Sequence, residues 1–203
     1  MKNKWIKEVG EWIICFIIAY AIYLVLNYFV GTIAGVKQSS MYPTSKEGDR
    51  VLISRRVLFN KSLSRGDVVI VEAPLDTEDN TSKIAQYEER KGLNNFVYKV
   101  MGFGKKSYIK RIIALPGEHI YISEQGDVYI NDELLEEKYL VEGLKTPRLG
   151  DVYDTVVPEG YVFVMGDNRE GSKDSRAFGA IPIDKVEGKV IIRIWPLNQI
   201  GSI

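Results

Sequence analysis

Tyr108-Ile109-Lys110-Arg111-Ile112-Ile113-Ala114-Leu115-Pro116-Gly117 places two cations in an otherwise apolar, β-branched run that stops at a Pro-Gly pair. Its length and β-branched content read as a strand, and the Pro-Gly pair ends it in a turn. Side chains alternate across a strand, so Lys110 shares a face with Tyr108, Ile112 and Ala114. Arg111 shares the other with Ile109, Ile113 and Leu115. Each cation is thus set among apolar neighbours, where desolvation disfavours the charged amine. An ordinary lysine has a pKa near about 10.4, and lowering it to about 7–8, where it serves as a base, takes roughly 3–4 kcal/mol. On the pattern alone, a lysine on a half-exposed strand explains the stretch better.

Working outward, similar segments recur at 50–54, 68–72, 119–123, 128–131, 161–165 and 190–195, separated by Gly, Pro, Asn and Asp. They predict a mainly β domain, with 119–131 a hairpin across Glu124-Gln125-Gly126. Residues 74–107 fit this scheme poorly and read as a polar insertion, within which 84–91 suits a short helix. An insertion of this length is either functional or a solvated excursion.

Before the β segments lies a different kind of sequence. Residues 12–36 contain no Asp, Glu, Lys or Arg. As a helix they would run roughly 37 Å, against about 30 Å of bilayer hydrocarbon. Lys2, Lys4 and Lys7 precede the run, which places residues 1–11 on the cytoplasmic side and 37–203 outside. The run exceeds the apolar core of a cleaved signal peptide, although Thr32-Ile33-Ala34 could pass for a cleavage site. A buried core helix would carry a polar face, which is missing.

The 203 residues carry 27 basic and 27 acidic side chains, so no basic footprint supports a nucleic-acid partner. One Cys and one His, Cys15 and His119, leave no intramolecular disulfide and too few ligands for a Cys/His zinc site. No metal or cofactor is expected. His119 follows Pro116-Gly117 at a strand start, a structural setting, so a Ser-His-Asp triad is not expected.

Two polar segments remain. Val36-Lys37-Gln38-Ser39-Ser40-Met41-Tyr42-Pro43-Thr44 begins where the apolar run ends, and any hydroxyl there would face substrates near a membrane surface. Taken alone, Ser39 and Ser40 form a polar turn. Gly166-Asp167-Asn168-Arg169-Glu170-Gly171-Ser172-Lys173-Asp174-Ser175-Arg176 is a dense turn that presents Ser172 and Asp174 to a neighbour or merely caps itself.

Together these segments resemble the type I signal peptidases, membrane-bound serine proteases that remove signal peptides. Ser40-Met41-Tyr42-Pro43-Thr44 is similar to the family's nucleophile box, and Arg65-Gly66-Asp67-Val68-Val69 to its next. Lys110-Arg111-Ile112-Ile113 with Leu115-Pro116-Gly117 resembles the general-base box, and Gly166-Asp167-Asn168-Arg169 through Asp174-Ser175-Arg176 the last. The four come in the family's order.

The resemblance implies a transmembrane helix followed by an antiparallel β-sheet catalytic domain. It implies Ser40 as nucleophile, Lys110 as general base and Ser172 as the hydroxyl orienting the amine. Asp174 would support Ser172 and pair with Arg176, while Met41 follows the nucleophile within its box. The second oxyanion donor falls at Gln38, where the family usually has Ser or Gly. The single anchor resembles the form of many Gram-positive bacteria. The implied partners are the lipid bilayer and exported preproteins carrying signal peptides, cut after Ala-x-Ala type sites. Two rivals remain open: an anchored β-domain that binds exported or pilus proteins without cleaving them, and a Ser-Lys protease that acts on itself or on a specialised partner.

Overall fold

A β-branched segment becomes a strand only where a neighbour takes up its backbone groups, and here such segments pair in two antiparallel sheets. The computed structural model describes residues 2–29, 31–54, 63–75, 83–92, 98 and 105–203. The larger sheet among them comprises β1 (Thr32–Gly35), β2 (Arg50–Ser54), β3 (Val68–Glu72), β4 (Ser107–Ala114), β9 (Tyr161–Met165), β10 (Ile181–Pro182) and β11 (Val186–Trp195). Its strand order is β1-β2-β11-β3-β4-β9-β10. The smaller comprises β5 (His119–Ile122), β6 (Val128–Ile130), β7 (Glu133–Leu134) and β8 (Asp154–Val156), in the order β7-β6-β5-β8.

The expected hairpin forms, with Ile120 opposite Ile130, Ile122 opposite Val128, and Gly126 at φ +82° in its turn. A second hairpin follows at once. Asn131 and Asp132 take φ of 50° and 66°, the two consecutive positive values of a tight turn whose twist suits flanking strands, and they lead into β7. Strand β11 begins four residues earlier than its apolar pattern, because Gly188 is no breaker here. A side chain at Gly188 would collide with Ile53 and Ser54 of β2, so the glycine permits close approach.

Strand β4 lies between β3 and β9, with Lys110 opposite Val69 and Arg111 opposite both Val68 and Met165. The expected alternation holds through Ile113, then reverses. A bulge between Ile112 and Ala114 puts Ala114 into the cluster of Ile113, Ile120, Phe163 and Met165, which joins the two sheets. Leu115 crosses to the opposite cluster, with Ile112, Val164 and Ile181. A third cluster of Val36, Met41, Val51, Val68 and Ile109 fixes the segment after β1.

The uncharged N-terminal run divides. Helix α1 spans Lys2–Phe29, while Thr32–Gly35 is β1, paired with Ile53 through Arg50. Gly31, at φ +123°, makes the change of direction, and a side chain there would collide with Ile53 O. The apolar side chains described on α1 are exposed around its circumference, Trp12, Phe16 and Ile17 by 62–71%. Among the described residues no helix is long and apolar enough to cross a membrane. The run continues through 24–29, whose side chains lie outside those described.

The insertion at 74–107 is described in part. Its expected short helix at 84–91 is absent: Ile84 makes an isolated parallel bridge to Ala180, and 85–91 has no regular structure. Leu75 N and Ala85 N find Gln86 O and Ala180 O, so sheet-edge pairing displaces local helical bonds.

Candidate active site

The segment after β1 is a tight polar turn over an apolar anchor. Val36 N donates to Asp49 O and Gly48 N to Val36 O, which close the loop at its base. Met41 is fully buried beneath it, Tyr42-Pro43 is a cis peptide bond, and Ser45 N donates to Met41 O. Arg193 of β11 holds the loop from below through Thr44 O at 3.0 Å and Asp49 Oδ2 at 3.2 Å. Burial raises the Asp49 carboxyl, but donors from Lys46, Arg193 and Ser45 outweigh it and hold it below its usual range.

Ser40 is thereby held at the floor of a cleft of about 380 Å³ that Gln38, Ser39, Tyr108, Lys110 and Gly171 also line. Its hydroxyl is buried and has no hydrogen-bond partner among the described residues. A buried hydroxyl without a partner is costly, and such atoms concentrate where a site is prepared for something else. Ser40 O accepts from Asn168 N at 3.0 Å, so the far loop positions the backbone of Ser40. Gln38 lies exposed at the cleft wall.

Lys110 enters the same cleft from β4 with 1% of its surface exposed. Nζ donates to Ser172 Oγ at 3.0 Å and stands 5.5 Å from the Tyr108 ring centre. Burial pushes the amine down to about 8, with help from Arg176, against the opposing charges of Asp174 and Asp167. That sets the amine within reach of neutrality near physiological pH.

Ser172 and Asp174 are both buried in the return from β9 to the four-residue helix α2 (Ser175–Phe178). Asp174 accepts from Gly166 N at 2.9 Å and from Arg176 Nε and Nη2 at 2.8 Å each. Burial pushes the carboxyl up, but Arg176, Gly166 and the Ser172 hydroxyl outweigh it, and the group stays below its usual range. Gly166 is required by close approach: a side chain there would strike Ser172 Oγ and Ser40 O.

The expected site residues therefore collect around one cleft, with Met41 beneath it as an anchor. His119 lies apart, on the smaller sheet, where Nε2 meets Asp154 Oδ1 at 2.8 Å. The bracing groups lie outside the expected site residues. Arg111 pairs with Asp167 through Nε at 2.9 Å and Nη2 at 2.6 Å, and donates to Gly66 O at 2.7 Å. Thr44 Oγ1 donates to Asp167 as well, tying together the loops that carry Ser40 and Ser172. The signal available was the strand alternation, which set Arg111 among apolar residues and so required a buried anion. The Arg65-Gly66-Asp67 segment is a tight turn entering β3, with Gly66 at φ +88° and Ser64 N donating to Asp67.

Residues 9–195 match the family described as signal peptidase, peptidase S26. Signal peptidase IB of Staphylococcus aureus is 31% identical over 207 residues, covering 95% of this chain and 93% of that protein. Thylakoidal processing peptidase 1, chloroplastic, of Arabidopsis thaliana is 32% identical over 167 residues, 82% of this chain and 43% of that one. A crystal structure of a signal peptidase I from Enterococcus faecalis is 25% identical with a TM-score of 0.41, covering 63% of this chain and 96% of its own. The chain belongs to the peptidase S26 family of signal peptidases and is a serine peptidase.

Proposed function

We propose that this chain cleaves signal peptides from exported preproteins after Ala-x-Ala type sites, with Ser40 as nucleophile and Lys110 as general base. The observation that carries the reading is the shared cleft. A buried Ser40 hydroxyl that has no partner among the described residues and a buried lysine with a lowered pKa open into the same space. Membership in a family of peptidases removes the non-cleaving rival.

In the reaction, neutral Lys110 takes the Ser40 hydroxyl proton as Oγ attacks the scissile carbonyl, and the ammonium returns it to the leaving amine. Ser172 holds Nζ in place while Asp174 and Arg176 hold Ser172. The Ser40 backbone N–H, with the Gln38 amide as second donor, stabilises the oxyanion. Water then resolves the acyl-enzyme, with Lys110 as base again. An extended peptide would take its register from backbone hydrogen bonds along the cleft.

The apolar run that begins at Trp12 supplies a single membrane anchor, with Lys2, Lys4 and Lys7 on the cytoplasmic side and the β domain outside. What supports this is that α1 presents apolar side chains all round, which water does not favour. Enzyme and signal peptide held in one bilayer gain effective concentration.

Full-length protein in detergent, incubated with a preprotein bearing an Ala-x-Ala site, tests the reading. Ser40→Ala and Lys110→Ala each lower cleavage by at least about 10⁴-fold. Cleavage by either variant at the wild-type rate sinks it.

A further inference from the structure

Between β7 and β8 the chain runs from Leu135 to Tyr153 without regular strands, and it touches three of the buried arginines around the cleft. Glu137 accepts from Arg169 Nη1 at 2.9 Å and also from Nη2, and Thr146 Oγ1 accepts from the same guanidinium. The Tyr139 ring lies 4.0 Å from Arg111 Cζ, and Pro147 O accepts from Arg176 Nη1 at 3.0 Å. The strap is itself tied down. Thr146 N donates to Gly126 O at 2.9 Å, and Lys145 pairs with Asp127 at 2.6 Å in the β5–β6 turn.

Arg169 is the decisive contact. Its side chain is wholly buried, its Nε donates to Gly166 O at 3.1 Å, and it lies in the loop that carries Ser172. A buried guanidinium needs an anion, and the structure supplies it from the strap. Tyr139 OH donates to Glu137 Oε1 at 2.7 Å, which fixes that carboxylate.

We infer that Glu137 is a positioning residue for the peptidase reaction, holding the Ser172 loop against Lys110 through Arg169 and Gly166. The inference rests on the Ser40–Lys110 reading above. It makes the smaller sheet part of the catalytic apparatus, because the strap is an excursion of that sheet. Glu137 touches neither substrate nor Lys110, so its effect falls on turnover more than on substrate binding.

The test uses full-length Glu137→Gln, with folding checked by circular dichroism and thermal melting. Its kcat on a preprotein falls about 10²-fold while KM stays within about threefold. A second readout is the titration midpoint of Lys110, measured by pH-dependent labelling with a small amine-reactive anhydride and mass spectrometry. Lys110 faces Ser172, Asp174, Arg176, Asp167, Tyr108 and Ser40 and shares its cleft with Lys37, Glu47 and Lys173, all unchanged in this variant. Arg169 left without its anion adds an uncompensated positive charge to the Ser172 loop, so the midpoint moves down. Adding Arg169→Met to Glu137→Gln removes that charge and returns the midpoint toward wild type while kcat stays low. A folded Glu137→Gln protein with wild-type kcat and midpoint overturns the inference. If Glu137→Gln does not fold, Glu137→Asp decides: the inference requires reduced kcat with an unmoved midpoint, and wild-type kcat overturns it. Labelling of Lys110 does not depend on cleavage. Failure of the Ser40–Lys110 reading, seen as active Ser40→Ala or Lys110→Ala, is therefore distinguishable from failure of the strap.

Discussion

Lys110 Nζ donates to Ser172 Oγ at 3.0 Å although the residues are 62 positions apart, and both side chains are almost wholly removed from water. The contact exists because β4 pairs with β9, and the chain leaving β9 folds back under Asp174 and Arg176. On the proposed mechanism Ser172 sets the direction of the amine, so Ser172→Ala lowers kcat by about 10–10² with a smaller change in KM. Steady-state cleavage of a preprotein measures this, and an unchanged kcat removes Ser172 from the mechanism.

As the proposed base Lys110 must be neutral to act, and burial pulls its pKa in the folded protein down to about 8. Cleavage rises about tenfold per pH unit below that value and levels above it, with chemistry rate-limiting. A flat profile from pH 5 to about 9 contradicts the role.

The same depressed pKa has a stability consequence. Below about 8 both folded and unfolded lysine are protonated, so the cost of burying the cation is fully present. Between about 8 and the unfolded value the unfolded chain binds more protons, and stability rises with pH. Lys110→Met, inactive on the proposed mechanism, is therefore more stable than wild type at pH 7, by up to about 3 kcal/mol. The gap narrows toward pH 10, as urea unfolding at the two pH values would show.

Asp174 has the opposite sign. Its carboxyl is held below the ordinary range, so its contribution is complete above the unfolded value and is lost as pH falls through the lower folded one. Asp174→Asn leaves Arg176 buried without its anion and costs about 3–5 kcal/mol at neutral pH. Denaturation across the acid range checks this: the gap to wild type shrinks as pH falls.

Gly166→Ala separates packing from charge, since it removes no polar group. The added methyl has no room between Ser172 Oγ and Ser40 O, so one of the two loops must move. Cleavage drops by about 10² or more, while overpacking destabilises the fold by about 1–3 kcal/mol. Wild-type cleavage by this variant contradicts the tight apposition of the two loops.

Local pattern carried most of this protein. The β-branched segments at 50–54, 68–72 and 161–165 are strands at those positions, because side-chain alternation and Gly/Pro punctuation act within a few residues. The polar turns that carry Ser40 and Ser172, and the cation Lys110 within an apolar strand, were likewise legible. Strands β1, β7, β8 and β10 were not, since two to four residues become a strand only when a distant edge accepts their hydrogen bonds. The reversal of faces after Ile113 follows from a bulge set by β9, which no local period records.

By itself, then, the sequence determined a mainly β domain behind an apolar N-terminal run and a lysine set among apolar residues, while the resemblance of its short segments to one family singled out Ser40 and Ser172. Only the tertiary structure decided that Ser40 and Lys110 line one cleft and that Arg111 and Arg169 find their carboxylates in Asp167 and Glu137, far along the chain. The physical reason is desolvation. A charge is forced to choose a partner only when water is gone, and which residues lose their water is a property of the packed fold.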